Sequence, residues 1–216
     1  MPISQFDLEP GDILLMHGVN SDATRELIHS HAAVVATTNE GGAGIPIVFD
    51  IIGTYGFQKI PMPRSRQLPY SVFRLKVRDI GFRVATTGYL WFGHSEVVTP
   101  NPKREATTIR GVYSRTSLVT AFLGSPNFGP KAAEYARKLC ENHRNFPPDE
   151  LQKSKAGLFS GVTCTYLPIA LYQTILGVTG SEEFMAIDAR KSLPKDLAKY
   201  LHSNKHWEFL GLCEKE

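Results

Sequence analysis

Apolar positions fall into two regimes along this chain. As far as residue 78 they come in short runs separated by turn residues, which is a strand pattern. Asp12–Met16 follows the Pro10-Gly11 turn as a short apolar strand. His31–Thr37, reading HAAVVAT, is a run of small and β-branched residues typical of a buried strand. Ile47–Ile52 is the next, and the Gly41–Gly44 turn between the two predicts a hairpin. Ser71–Val77 sets Val72, Phe73, Leu75 and Val77 against Arg74 and Lys76, so an edge or half-exposed strand is expected. Ser21–Ile28 carries a helical start that Ser21 or Asp22 can cap.

Beyond Arg78 the spacing turns helical. Asp79–Phe92 places Ile80, Val84, Gly88 and Trp91 on one side. Gly93–Gly111 is polar, with prolines and basic residues, and predicts a loop. Helices are expected at Val112–Leu123 and at Pro130–His143, the second with an apolar stripe of Ala132, Ala133, Ala136 and Leu139. Pro147-Pro148 ends that pattern. Thr163–Leu176 predicts a strongly apolar helix, Ser181–Ala189 a helix with a shifted capping box, and Leu193–Leu201 an amphipathic helix opening at Pro194. His206–Leu212 is a last strand. Strands first and helices later is the α+β order.

Composition narrows the class. The 216 residues suit a single domain spanning 1–216, and 42% hydrophobic with 21% charged residues is ordinary for a globular protein. The net charge of +3 comes with no Lys/Arg run, which argues against a nucleic-acid partner. No stretch nears the roughly 18 apolar residues of a membrane span, so no integral membrane segment is expected. The start, MPISQFDLEPGDILLM, lacks a basic n-region and is interrupted by Asp7, Glu9 and Asp12. The expectation is synthesis in the cytoplasm without a signal peptide, with any export needing a dedicated secretion route. No metal-ligand cluster, phosphate loop or dinucleotide fingerprint is visible, and no cofactor is expected.

The three cysteines, Cys140, Cys164 and Cys213, are odd in number and lack a CxxC spacing, against a disulfide framework or structural zinc. Cys164 is the best nucleophile. Its segment Ser160-Gly161-Val162-Thr163-Cys164-Thr165 leads into an apolar helix, whose positive end favours a thiolate and whose free N–H groups suit an oxyanion. Pro168 leaves open whether the helix includes Cys164 or starts after it. Cys140 falls mid-helix and Cys213 near the end of the chain. His31 opens the buried strand and is the candidate general base, with His29 two positions earlier. His17, His94, His143, His202 and His206 read as surface residues of loops and element ends. Asp50, on the strand expected to pair with 31–37, can accept from the His31 ring as a third member. The plain alternatives are a buried Cys164, a capping His31 and a strand-end Asp50.

Leu8-Glu9-Pro10-Gly11-Asp12-Ile13-Leu14-Leu15, then Ser30-His31-Ala32-Ala33-Val34-Val35, then Val48-Phe49-Asp50, with a late Thr163-Cys164-Thr165-Tyr166-Leu167 and Ser192-Leu193-Pro194-Lys195-Asp196-Leu197-Ala198, resembles the permuted, YiiX-like branch of the NlpC/P60 superfamily. The resemblance covers both ends; 79–158 matches poorly. Thr165 stands where the family carries Ser, and no Glu follows Cys164 in the first helical turn. The resemblance implies a circularly permuted papain-like fold, with an antiparallel sheet packed against helices and catalytic Cys164, His31 and Asp50. It also implies hydrolysis of amide bonds in peptidoglycan peptides. Without a signal peptide, such an enzyme would need a dedicated secretion device, for example as a secreted antibacterial effector with an immunity partner. Some relatives act on lipid acyl groups, so an acyl hydrolase or acyltransferase is the alternative, with 79–92 as an apolar groove. A binding module that keeps the fold without catalysis is a third reading.

Overall fold

Alternation of apolar side chains on both sides of extended backbone needs cover on both faces, and the chain answers with one large sheet and helices against it. The computed structural model describes residues 2–17, 29–37, 45–52, 56–62, 69–77, 79–93, 98–101, 106–109, 134, 163–177 and 182–213. Its strands are β1 (Pro2–Ile3), β2 (Ile13–His17), β3 (His29–Thr37), β4 (Ile47–Ile52), β5 (Gly56–Pro61), β6 (Tyr70–Leu75), β7 (Val98–Asn101), β8 (Ala106–Ile109) and β9 (Trp207–Cys213). They form one sheet in the order β1-β9-β6-β2-β3-β4-β5-β8-β7. Every pairing is antiparallel except β1 with β9, which is parallel. The helices are α1 (Ile80–Gly93), α2 (Tyr166–Leu176) and α3 (Pro194–Ser203). The architecture is α+β.

The two faces of the sheet bury different sets. Ile13, Leu15, Ala32, Val34, Phe49, Phe57 and Phe73 join the buried residues of all three helices in the main core. Leu14, Ala33, Val35, Val48, Ile60 and Val72 form a second cluster. The period of two along β3 therefore decides which side each residue serves. Small residues bring α1 close to the sheet. A Cβ on Gly88 would stand 2.6 Å from the Phe49 ring, and one on Gly11 (φ +91°) would stand 2.3 Å from the Gly81 backbone. That contact seats the Pro10-Gly11 turn on the start of α1.

Asp12 follows that turn and is buried. Its carboxylate takes Nε and Nη2 of Arg74 at 2.8 and 2.7 Å and the Glu9 N–H at 2.8 Å. Arg74 also donates to Glu9 Oε1 and to the Asp7 carbonyl. Burial pushes the Asp12 carboxyl up, opposed by the hydrogen bond from Arg74. The bidentate pair fastens β2 to β6.

Four expectations need correction. β6 is not an edge strand: it lies between β9 and β2 and is buried at five of its six positions. Its basic residues mislead because Arg74 is consumed by Asp12 and Lys76 by the Lys205 carbonyl. The expected loop 93–111 contains the hairpin partners β7 and β8, which extend the sheet beyond β5. Residues 182–189 are not helical; the peptide carbonyls of Met185 and Ile187 are instead taken by the Gln173 side chain. The sheet is not wholly antiparallel, because β1 runs along β9 in parallel. The expected elements at 21–28, 39–44 and 112–123 lie outside the described residues, as does 130–143 apart from Glu134, which is helical.

Replacing Arg74 by Met strands the Asp12 carboxylate in the core. The expected loss is about 3 kcal/mol of stability, with partial recovery in the Asp12→Asn/Arg74→Met double variant. Urea denaturation of the three proteins checks this; equal stability of Arg74→Met and wild type refutes it.

Candidate active site

Cys164 lies in the turn that feeds α2. The helix opens at Tyr166, with Thr165 as its first flanking residue, and the Tyr166 N–H donates to the Thr163 carbonyl at 3.1 Å. Pro168 is the third helical residue, a position that tolerates a missing N–H because first-turn donors have no intrahelical partner. So the helix starts after the cysteine. Thr165 does not cap with its side chain; its hydroxyl donates to the Ser192 carbonyl at 2.6 Å and meets the Thr163 hydroxyl at 3.1 Å. Tyr166 through Gln173 are all buried. Two further side chains hold this helix. The Tyr172 hydroxyl donates to the Gly11 carbonyl at 2.7 Å, and Gln173 Nε2 donates to the carbonyls of Met185 and Ile187 at 2.8 and 2.7 Å.

His31 and Asp50 come from neighbouring strands. Ala33 stands directly opposite Asp50, which makes His31 the diagonal neighbour two residues back and lets its ring reach the carboxylate. His31 Nε2 lies 3.2 Å from Asp50 Oδ2. The side chains are 13% and 4% exposed, and Cys164 is 8% exposed. The Cys164 side chain acts on the same ring and raises its proton affinity. Burial alone would pull the His31 pKa down. The hydrogen bonds to Asp50 and Cys164, and the negative charge of each, outweigh it and push the imidazole up to about 10. Around neutral pH this ring is an imidazolium between a carboxylate and a sulfur.

All three residues nominated from the sequence are thus brought together: Asp50 behind His31, and Cys164 in front of it. Cys213 is buried in β9 and distant in role, and Cys140 lies outside the described residues. Among the described residues no group of three His, Cys, Asp or Glu could hold a metal ion. Compared with protein-family models, curated proteins and solved structures, the chain finds no match.

The structure adds groups that sequence reasoning passed over. β3 extends back to His29, whose ring packs against His17 at a tilt of 53° with centroids 4.6 Å apart. His17 was expected on the surface, yet it is buried at the end of β2 with Nε2 2.8 Å from the Ser71 hydroxyl. A β-bulge at Met16/His17 turns it inward. Gln58 is fully buried on β5, directly opposite Asp50. Its signal in the sequence was a lone amide between Phe57 and Ile60, readable only once the facing strand is known.

Two outcomes are expected. Nitrogen chemical shifts of the His31 ring should be those of an imidazolium from pH 6 to 9, with the midpoint near 10 falling steeply in Cys164→Ala and Asp50→Asn; a neutral ring at pH 7.5 in the wild type would contradict the geometry. Burial lowers His29 from 6.5 to about 4. The unfolded chain binds its proton first, so this group's contribution to stability is full above pH 6.5 and is lost as pH falls toward 4. Thermal unfolding should show that slope, flattened in His29→Gln.

Proposed function

We propose that this chain is a cysteine hydrolase on a circularly permuted papain-like fold of the NlpC/P60 kind, cutting amide bonds. One observation carries the reading: His31 Nε2 lies 3.2 Å from the buried Asp50 carboxylate, and Cys164, at the entrance to a buried helix, acts on the same ring and favours its protonated form. An imidazolium beside a cysteine favours the thiolate, and the positive end of α2 acts in the same sense. The Cys164 sulfur attacks the substrate carbonyl carbon. The Cys164 backbone N–H receives the developing oxyanion. The His31 imidazolium then gives its proton to the leaving amine as the C–N bond breaks, leaving a thioester. Neutral His31 takes a proton from water, hydroxide attacks the thioester carbon, and carboxylate and free Cys164 result. Asp50 keeps the ring aligned through both halves.

Peptidoglycan peptides are the proposed substrate, on the strength of the resemblance of Leu8–Leu15, Ser30–Val35 and Val48–Asp50. Delivery to the periplasm through a secretion system, against an immunity partner in the producing cell, is the accompanying proposal. The described residues hold no helix long and apolar enough to cross a membrane. The alternative of lipid acyl hydrolysis rested on 79–92 as a groove. In the fold that helix spends Val84, Ala85, Trp91 and Phe92 on the core and leaves Phe82 and Leu90 exposed. A non-catalytic module would leave the buried charge on His31 without use.

The test is digestion of purified peptidoglycan followed by mass spectrometry of soluble muropeptides. New fragments are expected from the wild type, with the rate at least about a thousandfold lower in Cys164→Ala. In parallel, iodoacetamide at pH 6 should label Cys164 about tenfold faster than Cys140 or Cys213, an advantage lost in His31→Ala. Equal labelling of the three cysteines defeats the reading. Fatty-acid release from phospholipid vesicles, with no muropeptides, would move the substrate to lipids.

A further inference from the structure

The second oxygen of Asp50 and the amide of Gln58 pose a shared problem. Asp50 Oδ2 is taken by His31, but Oδ1 is buried with no hydrogen-bond partner among the described residues. Gln58 has no exposed surface, and neither its Oε1 nor its Nε2 has a partner among the described residues. The two residues are directly opposed across β4 and β5. Along the same face of β5, the positions that follow, Ile60 and Met62, are apolar and belong to the second core cluster. A buried amide in such a row is unfavourable unless something there uses it, and buried polar groups almost always do find partners.

The needs are complementary. A carboxylate oxygen only accepts, and Nε2 offers two donors. Opposed residues in an antiparallel pair have Cβ atoms about 5 Å apart, so a Gln side chain can reach an Asp across the strand by a rotamer change or through one buried water. We infer that Gln58 is a positioning residue of the site: its amide N–H holds Asp50 Oδ1, directly or through one water, so that Oδ2 stays aimed at His31 and the order Gln58–Asp50–His31–Cys164 acts as one unit. The inference rests on the cysteine-hydrolase reading. Gln58 touches neither substrate nor sulfur; it acts by fixing the carboxylate that fixes the ring, as outer hydrogen bonds do around other reactive centres.

The experiment follows the pH dependence of iodoacetamide labelling at Cys164 in wild type, Gln58→Leu and Gln58→Met, each checked for a native circular-dichroism spectrum and melting transition. Two variants of similar volume guard against one failing to fold. Without its donor the buried negative charge of Asp50 is harder to hold, so the acid limb of the profile should move up by about one pH unit, and labelling at pH 6 should fall about tenfold. Gln58→Leu placed in an Asp50→Asn background should then add nothing, the mark of two residues acting through one bond. Profiles of both folded variants that overlay the wild type overturn the inference, as does a full additive effect in the double variant. If His31→Ala leaves wild-type labelling unchanged, the hydrolase reading itself has failed. If His31→Ala removes the advantage and the Gln58 variants do not alter the profile, only the role of Gln58 has failed.

Discussion

The hydrogen bond from Tyr172 to the Gly11 carbonyl, 2.7 Å long and fully buried, ties the helix that carries the site to the turn that starts the sheet. A helix apolar on every side can slide or rotate in its groove with little loss of hydrophobic contact, because that contact is non-directional. Directional bonds remove the freedom. Tyr172 anchors the middle of α2, Gln173 anchors it to the Met185–Ile187 segment, and Thr165 anchors its start to Ser192. Together they hold the Thr163–Cys164–Thr165 turn against the end of β3. Burial also pushes the Tyr172 hydroxyl above its ordinary range, so this donor keeps its proton across the working range of pH.

Two buried aspartates show how partner chemistry separates structure from function. Asp12 faces the guanidinium of Arg74, a permanent cation with a fork that fits a carboxylate, and the result is a fixed tie between β2 and β6. Asp50 faces His31, a ring that can gain or lose its proton. The same carboxylate meets a permanent cation in one place and a titratable ring in the other. Asp12 is saturated by Arg74 and the Glu9 N–H, whereas Asp50 retains an oxygen without a partner among the described residues. A fully satisfied pair rigidifies; an open valence beside a titrating ring marks a group whose surroundings are part of the chemistry.

Legibility varied with the range of the forces involved. β2, β3, β4, α1, α3 and β9 could be read within a few residues, because local periodicity and turn residues decide them. The opening of α3 at Pro194 is one such case. β6 misled, since Arg74 and Lys76 look like solvent-facing residues until their partners in distant segments are known. β7 and β8 carry no apolar alternation and are strands because β5 offers an open edge. The stretch 182–189 has helical residues but loses its carbonyls to Gln173, an acceptor demand invisible in local sequence.

The sequence by itself determined the strands β2, β3, β4 and β9, the α+β order and the three residues able to form a Cys–His–Asp site, because those follow from local propensity and from side-chain chemistry. Only the tertiary structure decided that the three meet. The diagonal register of β3 on β4 turns His31 onto Asp50, and the bolted position of α2 brings Cys164 to the same ring. It also decided that His17 is buried and that Gln58 lies opposite Asp50. Register, burial and the sharing of one proton among groups from distant segments depend on how strands and helices pack. That packing is a sum over long-range contacts which no short window of sequence contains.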